Sequence, residues 1–301
     1  MTKPVQFGRR STADQVLAGI DLTGKRIVVT GCNTGLGFAT MNAFAANGAT
    51  VIGLARTIHA ATAACAQASP ICIPVACDLA DFESIDAAVR TIRAIAVPLD
   101  AIVANAGVAN LRSLDTRYGI EMHFLANHIG HFALVNGLAD LLRDNSGRAV
   151  IVSGNAGISH APVEGIMFDN LDGRRFYKPS TFYGQSKLAN ALYAKELSRR
   201  LSSRGIAVNS VDPGAARTRI NTGYFARLFA KSAARAAATQ ALLAASPQAS
   251  GITGQYWSDC GISRGSPLLE DPVLARRLWE VSDEIVAAAS SHHEHSLLRA
   301  A

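Results

Sequence analysis

Short apolar runs alternate with helix-like segments from Gly24 onward. The runs are rich in β-branched residues and are almost continuously apolar. They cover residues 26–30, 50–54, 71–75, 99–103, 148–152 and 206–210, and 251–257 adds a candidate edge strand. Strands that alternate with helices predict a parallel sheet, and their apolar character predicts that helices cover both faces. Right-handed crossovers then give a doubly wound sheet.

The expected fold is therefore α/β, with a single-domain Rossmann-type parallel sheet of about seven strands flanked by helices. No linker or composition break divides residues 21–288, which are predicted to be one domain. Residues 1–20 form an N-terminal extension, in which Ser11 and Thr12 mark the start of a short surface helix. Residues 289–301 are predicted to be a polar, frayed tail whose histidines are solvated rather than metal-bound.

Composition narrows the possible partners and compartment. The 301 residues are 49% hydrophobic and 17% charged, as in a globular protein. A net charge of +6 suits polyanions, but the basic residues are scattered and we expect no nucleic-acid partner. Five cysteines without a CxxC pair fit neither a disulfide framework nor a zinc site and favour a cytoplasmic location. No apolar run approaches the ~20 residues that span a bilayer, and none near the N-terminus has signal-peptide length.

A glycine-rich turn follows the first predicted strand and precedes a helix-compatible segment, which together form a phosphate cradle. Gly31 permits a tight turn, Gly35 lets the backbone approach a pyrophosphate, and Gly37 allows close helix packing. Free N–H groups at the start of the helix attract the anion. The remaining loop contacts are expected from Asn33, Thr34 and Leu36.

The Gly-x-x-x-Gly-x-Gly spacing resembles the cofactor loop of short-chain dehydrogenases/reductases, and the resemblance extends over residues 21–285. The segments 127–132, 154–182 and 183–187 resemble the retinol-dehydrogenase-like and protochlorophyllide-reductase-like branch. This resemblance implies hydride transfer between a nicotinamide cofactor and an alcohol or carbonyl substrate. It also implies a homodimer or homotetramer.

Cofactor preference is expected at the end of the second strand, where enzymes that use NAD place an acidic residue. Ala55 stands there and Arg56 follows. A guanidinium pairs well with a 2′-phosphate, so we expect NADP(H) rather than NAD(H), although Arg56 alone could be an ordinary surface arginine. By resemblance, further cofactor contacts come from Asp78, Leu79, Asn105, Ala106, Gly107, Pro213, Gly214 and Thr218. Asp78 could equally cap a helix.

The catalytic pair is expected in Tyr183-Gly-Gln-Ser-Lys187, because residues i and i+4 share one helix face. A tyrosine with a pKa of about 10 is a poor base near neutrality until a cation stabilises its phenolate. Lys187 supplies that charge and can hold the nicotinamide ribose. Tyr183 then exchanges a proton with the substrate oxygen. By resemblance, Asn127 supports a water-linked proton relay to the lysine.

The family's catalytic serine is missing from its expected register. Gly154 occupies that position, and Ser153 precedes it by one residue, which in a strand points a side chain to the opposite face. Either a bulge redirects Ser153, or Asn155, Ser159 or water donates the hydrogen bond, or activity is weakened. We keep Ser153 as a catalytic candidate. A cofactor-binding sensor with little catalysis is the alternative function.

The substrate is predicted to be apolar if aromatic and aliphatic residues around the motifs line the cleft. These residues are Ile166, Met167, Phe168, Phe176, Tyr177, Phe182, Tyr224, Phe225 and Phe229, and they could instead be core or dimer contacts. His128 and His131 lie at helical spacing without a carboxylate or cysteine partner. We therefore expect packing and hydrogen-bonding roles for them, and no metal site.

Overall fold

The computed structural model describes residues 7–68, 71–95, 98–109, 111–215 and 230–300, with the backbone alone for 290–300. Its strands are β1 (Arg26–Thr30), β2 (Thr50–Ala55), β3 (Ile73–Ala76), β4 (Ala101–Ala104), β5 (Thr116–Arg117), β6 (Ile120–Glu121), β7 (Arg148–Val152), β8 (Ala207–Asp212), β9 (Tyr256–Ser258) and β10 (Gly261–Ile262). Eight of them form one sheet in the order β10-β9-β8-β7-β4-β1-β2-β3. Only the β9–β10 pairing is antiparallel within this described sheet. β5 and β6 pair separately.

Helices cover both faces of the sheet. They are α1 (Ala13–Leu17), α2 (Gly35–Ala46), α3 (Ile58–Ala68), α4 (Phe82–Ile95), α5 (Met122–Phe124), α6 (Gly130–Leu138), α7 (Ala156–Ser159), α8 (Pro179–Arg200), α9 (Ala233–Ala236), α10 (Ala238–Ala245) and α11 (Pro272–Ala300). A π-helical turn, Leu125–Ile129, joins α5 to α6. In β1, Val28 packs into the core with α4, α6 and α8, whereas Ile27 and Val29 pack with α1, α2 and α10. The doubly wound fold is thereby confirmed.

Two strands differ most from their predicted boundaries. The third strand begins at Ile73 because Ile71 is exposed, and the candidate edge strand at 251–257 is reduced to Tyr256–Ser258. That strand pairs with β8 on one side and with β10 on the other, so the two-residue β10 forms the edge.

The predicted helix near the N-terminus is present but is partly buried, and the tail that was expected to be frayed continues a helix. Thr12 and Gln15 form a capping box at the start of α1, whose Val16 and Leu17 are buried in the core. At the other end, α11 continues through residue 289 to Ala300, because no glycine or proline stops it. None of the described helices combines the length and apolarity needed to cross a membrane.

Candidate active site

The carboxyl ends of the central strands open onto a cleft of about 620 Å³. This is where ligands bind in open parallel sheets. The cleft brings together most of the predicted cofactor and catalytic residues: Gly31, Asn33, Thr34, Gly35, Leu36, Gly37, Arg56, Asp78, Leu79, Asn105, Ala106, Gly107, Ser153, Tyr183, Lys187, Pro213 and Gly214. Asn127 lies behind this lining, and Thr218 falls outside the described residues.

The glycine loop has a geometry that side chains would disrupt. Gly31 has a φ of +68°, which favours glycine. A Cβ on Gly37 would lie 2.1 Å from the Gly31 carbonyl oxygen, so α2 can approach β1 only with glycine there. Thr34 precedes α2 without a side-chain capping bond. The first backbone N–H groups of α2 are therefore available for an anion.

Two residues that follow neighbouring strands shape the far end of the cleft. Ala55 is buried at the end of β2, and the next residue, Arg56, is exposed along the cleft. Asp78 follows β3, and its Oδ1 accepts a hydrogen bond from the Ala80 N–H at 3.0 Å. Asp81, not Asp78, caps the start of α4, since its Oδ1 accepts from the Glu83 and Ser84 N–H groups. The alternative role of Asp78 as that helix cap is thus absent.

A chain of buried hydrogen bonds ties β1 to the segment after β4 and to the π-helical turn. Thr30 Oγ1 accepts hydrogen bonds from the Asn105 and Ala106 N–H groups at 2.8 and 2.9 Å. The Thr30 hydroxyl therefore donates its own proton to His131 Nε2 at 2.9 Å. Because Nε2 accepts, the ring proton of His131 is on Nδ1, which donates to the Asn127 carbonyl at 2.8 Å. Burial lowers the pKa of His131 to about 4, in agreement with this neutral tautomer.

Asn127 connects the segment that follows β4 to helix α8. Its Oδ1 accepts from the Val108 N–H at 2.7 Å, and its Nδ2 donates to the Val108 carbonyl and to Ser186 Oγ, both at 3.0 Å. A Cβ on Gly107 would lie 3.2 Å from Asn127 Oδ1 and 3.5 Å from Lys187 Nζ. The asparagine and the lysine therefore flank the same glycine, although a proton relay between them stays a prediction.

Tyr183 and Lys187 meet on one face of α8, as their spacing predicts. Lys187 Nζ lies 5.7 Å from the centre of the Tyr183 ring and donates a hydrogen bond to the Val152 carbonyl at 3.4 Å. Burial lowers the pKa of Lys187 to about 8, and the Asp212 carboxylate opposes that change. Burial, reinforced by Asp212, raises the pKa of Tyr183. Without cofactor, the pair therefore consists of a neutral phenol beside a lysine that is mostly charged at pH 7.

Ser153 is placed differently from a substrate-contacting serine. Its hydroxyl is buried and donates its proton to the Lys187 carbonyl at 2.6 Å. Because a hydroxyl has one proton to donate, Ser153 in this arrangement cannot polarise a substrate oxygen. It instead anchors the end of β7 to α8. Gly154 follows with a φ of +153°, which residues with side chains rarely adopt.

Two other residues were predicted as possible hydrogen-bond donors to the substrate oxygen, and both lie at the surface of the cleft. Asn155 and Ser159 both line it and are exposed. Ser159 Oγ lies 3.1 Å from the Asn155 carbonyl and 2.6 Å from His160 Nδ1. Sequence reasoning missed His160, which also lines the cleft and which no motif singled out. Asp212 lines the cleft too, directly before Pro213 and Gly214 in the segment that resembles the family's nicotinamide contact.

A fully buried, hydrogen-bonded glutamate–histidine pair lies beside Tyr183. Glu121 Oε1 and His123 Nδ1 are 2.7 Å apart, and Glu121 Oε2 accepts from the Phe124 N–H at 3.0 Å. The His123 ring packs edge-to-face against the Tyr183 ring, with centroids 5.8 Å apart. The pair thus links the start of α5 to the ring of Tyr183.

The residues expected to make the cleft apolar lie mostly elsewhere. Ile166 and Phe182 are core residues, and Phe176 is exposed. None of the six predicted residues between 166 and 182 lines the cleft, because that segment packs beside α8. Residues Tyr224, Phe225 and Phe229 fall outside the described residues.

His128 has a structural role. Since Ser282 Oγ donates to the Leu278 carbonyl at 2.7 Å, it accepts from His128 Nε2 at 2.9 Å. Burial lowers the pKa of His128 to about 3. Among the side chains that the structure describes, no group of three or more His, Cys, Asp or Glu residues is placed to hold a metal ion.

The fold and cleft define an α/β protein with a dinucleotide-type site, and comparisons with known proteins agree. The short chain dehydrogenase family model matches residues 25–166. Short-chain dehydrogenase TIC 32 B, chloroplastic, from Brassica napus is 34% identical over 304 residues, which cover 93% of this chain and 94% of the relative. Human retinol dehydrogenase 14 is 31% identical over 293 residues, covering 87% of this chain and 86% of the relative.

A solved structure shares the fold. A short chain dehydrogenase from Burkholderia cenocepacia, in complex with NADP, superposes with a TM-score of 0.65 at 28% identity, over 80% of this chain and 98% of that one. The chain therefore belongs to the short-chain dehydrogenase/reductase family, and the resemblance seen in its motifs is confirmed.

Proposed function

We propose that this oxidoreductase uses NADP(H) and transfers a hydride between the nicotinamide and the alcohol or carbonyl of an apolar substrate. One observation carries the proposal. A single cleft connects the glycine loop and Arg56 at one end with Tyr183 and Lys187 at the other. Anion binding, a cation for a 2′-phosphate and a proton donor are thus available along one continuous surface.

The cleft suits a dinucleotide on its own geometry. The close approach of Gly37 to Gly31 forms a cradle that a Cβ would fill, and the free N–H groups of α2 suit a pyrophosphate. Arg56 would hold the 2′-phosphate and Asp78 the adenine, while Lys187 would hold the nicotinamide ribose. When bound, the cofactor supplies or accepts the hydride.

Tyr183 moves the proton. Its raised pKa keeps the phenol protonated near neutrality, which suits proton donation to a carbonyl oxygen and supports the direction of reduction. Lys187 remains mostly charged at pH 7 and stabilises the phenolate that this donation leaves. Asn127 ties Val108 to Ser186, which lies between these two residues in α8.

An apolar substrate is supported by similarity to retinol dehydrogenase 14 and by the aromatic residues in the sequence after Gly214. That sequence carries Tyr224, Phe225 and Phe229. Assembly into a homodimer or homotetramer and a cytoplasmic location stay predictions. The relative TIC 32 B from Brassica napus is chloroplastic.

The cofactor and proton steps are tested together by binding and turnover. We expect NADPH to bind at least about tenfold more tightly than NADH, and Arg56→Ala to remove most of that difference. Arg112→Ala, a change at an exposed arginine outside the cleft lining, is the matched control. Turnover of a carbonyl panel should be lost in Tyr183→Phe and kept in Tyr118→Phe, whose ring is 48% exposed.

A second function is favoured by the site around Gly154. With Ser153 committed to the Lys187 carbonyl, the serine beside position 154 is not free to donate a hydrogen bond to a substrate oxygen. Losing one such donor costs roughly 100-fold to 1,000-fold in rate. A cofactor-binding sensor with little catalysis would bind NADPH and turn over no member of the carbonyl panel.

A further inference from the structure

The inner part of the cleft contains a carboxylate that the proposed proton transfer does not use. Asp212 ends β8 and lines the cleft together with Gly154, Tyr183 and Lys187. It is only partly buried, so a ligand in the cleft can reach it. Its Oδ1 accepts one hydrogen bond, from the Gly214 N–H at 2.9 Å.

The space in front of this carboxylate is open. A Cβ built on Gly154 would lie 3.8 Å from Asp212 Oδ1, and apart from the neighbours of Gly154 in the chain no other described heavy atom would lie within 4 Å of it. The absent side chain at 154 therefore leaves room for a ligand group beside Asp212. The φ of +153° keeps this position open, because a residue with a side chain would be strained there.

The carboxylate also has unused capacity to accept hydrogen bonds. An ionised carboxylate offers about four lone-pair sites, and Gly214 occupies one. Asp212 forms no ion pair with the side chains in the described part of the chain. Its charge nevertheless reaches both members of the catalytic pair, since it supports the charged form of Lys187 and opposes ionisation of Tyr183.

A bare carbonyl oxygen has no proton and is repelled by a carboxylate, whereas a hydroxyl or an ammonium group is attracted to it. We infer that Asp212 is a specificity-determining residue that accepts a hydrogen bond from a donor on the substrate, next to the reacting carbon. The substrate class is therefore a ketone or alcohol with a neighbouring hydroxyl or ammonium group on an apolar body. This inference rests on the proposed function, because the reacting carbon is the one presented to Tyr183.

Binding of matched ketones tests the inference without turnover. The probes are 2-hydroxyacetophenone, 2-methoxyacetophenone, which lacks the donor proton, and acetophenone, which reports the effect of the methoxy group's bulk. Titration of the protein saturated with NADP⁺ gives dissociation constants, because an oxidised cofactor has no hydride to give. The same titration on the free protein keeps the test valid if the cofactor fails to bind.

We expect wild type to bind the hydroxyketone at least about tenfold more tightly than either of the other two ketones. This is the affinity difference that one hydrogen bond to a charged group typically gives. Asp212→Ala should reduce this preference to less than about threefold, and Asp212→Asn should give an intermediate value. Asp144→Ala is the control, because it removes the same charge from a surface aspartate that pairs with Arg204. Asp144→Ala should prefer the hydroxyketone over the other two ketones to the same extent as wild type.

Equal binding of the three ketones by wild type would overturn the inference, and so would a preference that survives in Asp212→Ala. If Asp212→Ala weakens NADPH binding but keeps the wild-type preference, the carboxylate serves the cofactor and the inference also fails. The proposed function fails by a different result, namely absent NADPH binding or unchanged turnover in Tyr183→Phe. Each failure is therefore recognised separately.

Discussion

Lys187→Met should make the protein more stable while removing its activity. Lys187 is 4% exposed and lies beside Tyr183, and the Asp212 carboxylate offsets only part of the cost of burying its charge. Within the described part of the chain, the Lys187 ammonium group makes one direct hydrogen bond, the long one to the Val152 carbonyl, which Asn190 Nδ2 also reaches at 3.0 Å. Methionine therefore removes a buried charge without leaving that carbonyl unpaired, and it fills similar space.

The magnitude follows from the pKa of the ammonium group. Burial lowers that pKa from 10.5 to about 8 in the folded protein, a difference that corresponds to about 3 kcal/mol. Because the unfolded chain binds the proton more tightly, the free energy of unfolding rises with pH between about 8 and 10.5. The full cost of the charge is present below pH 8 and disappears above 10.5.

Urea unfolding at about pH 7 and about pH 10 measures this cost. The difference between Lys187→Met and wild type should be about 3 kcal/mol in favour of the variant at the lower pH, and about 1 kcal/mol at the higher pH. Buried tyrosines and cysteines titrate in the same pH range in both proteins. Their contributions to the free energy of unfolding therefore cancel when the variant is compared with wild type. Lys195→Met, on the same helix but 38% exposed and paired with Glu270, is the control.

The reasoning is refuted if Lys187→Met is less stable than wild type at both pH values, or if its advantage does not change with pH. Either result would mean that the ammonium group is well solvated or well paired in the folded protein. A similar gain in Lys195→Met would show that a general effect of methionine on helix α8 is being measured instead.

Two further substitutions test the cradle and the buried pair. In Gly37→Ala, the new Cβ would lie 2.1 Å from the Gly31 carbonyl oxygen. NADPH titration should therefore show at least about tenfold weaker binding. Gly8→Ala, where the new Cβ has open space around it, is the control and should bind NADPH as wild type does. Glu121→Ala leaves His123 Nδ1 and the Phe124 N–H without their acceptor, so the free energy of unfolding should fall by about 3 kcal/mol; a loss below about 1 kcal/mol would contradict this role.

Local spacing was sufficient to predict the parts of the site that lie within one element or one turn. The loop from Gly31 to Gly37 and the i, i+4 pair of Tyr183 and Lys187 are of this kind, because strand, turn and helix geometry fix their neighbours directly. The doubly wound sheet was predictable for the same reason, although the two-residue β10 is too short to leave a periodic signal.

Contacts between distant segments could not be predicted from the sequence. Thr30 and His131 are separated by 101 positions, and only the packing of α6 against the sheet brings them together. The hydroxyl of Ser153 turns to the Lys187 carbonyl because α8 lies against β7, a contact that strand register alone does not define. Asp212 comes to face Gly154 through the parallel pairing of β7 with β8.

Transfer of deuterium tests the central claim most directly. Wild type and Tyr183→Phe are incubated with an apolar ketone panel that includes hydroxyketones and with NADPH deuterated at the transferable position of the nicotinamide. The account predicts deuterium on the carbinol carbon of the product with wild type, and none above background with Tyr183→Phe. Tight NADPH binding by wild type without deuterium in any product would contradict it and would favour a cofactor-binding sensor.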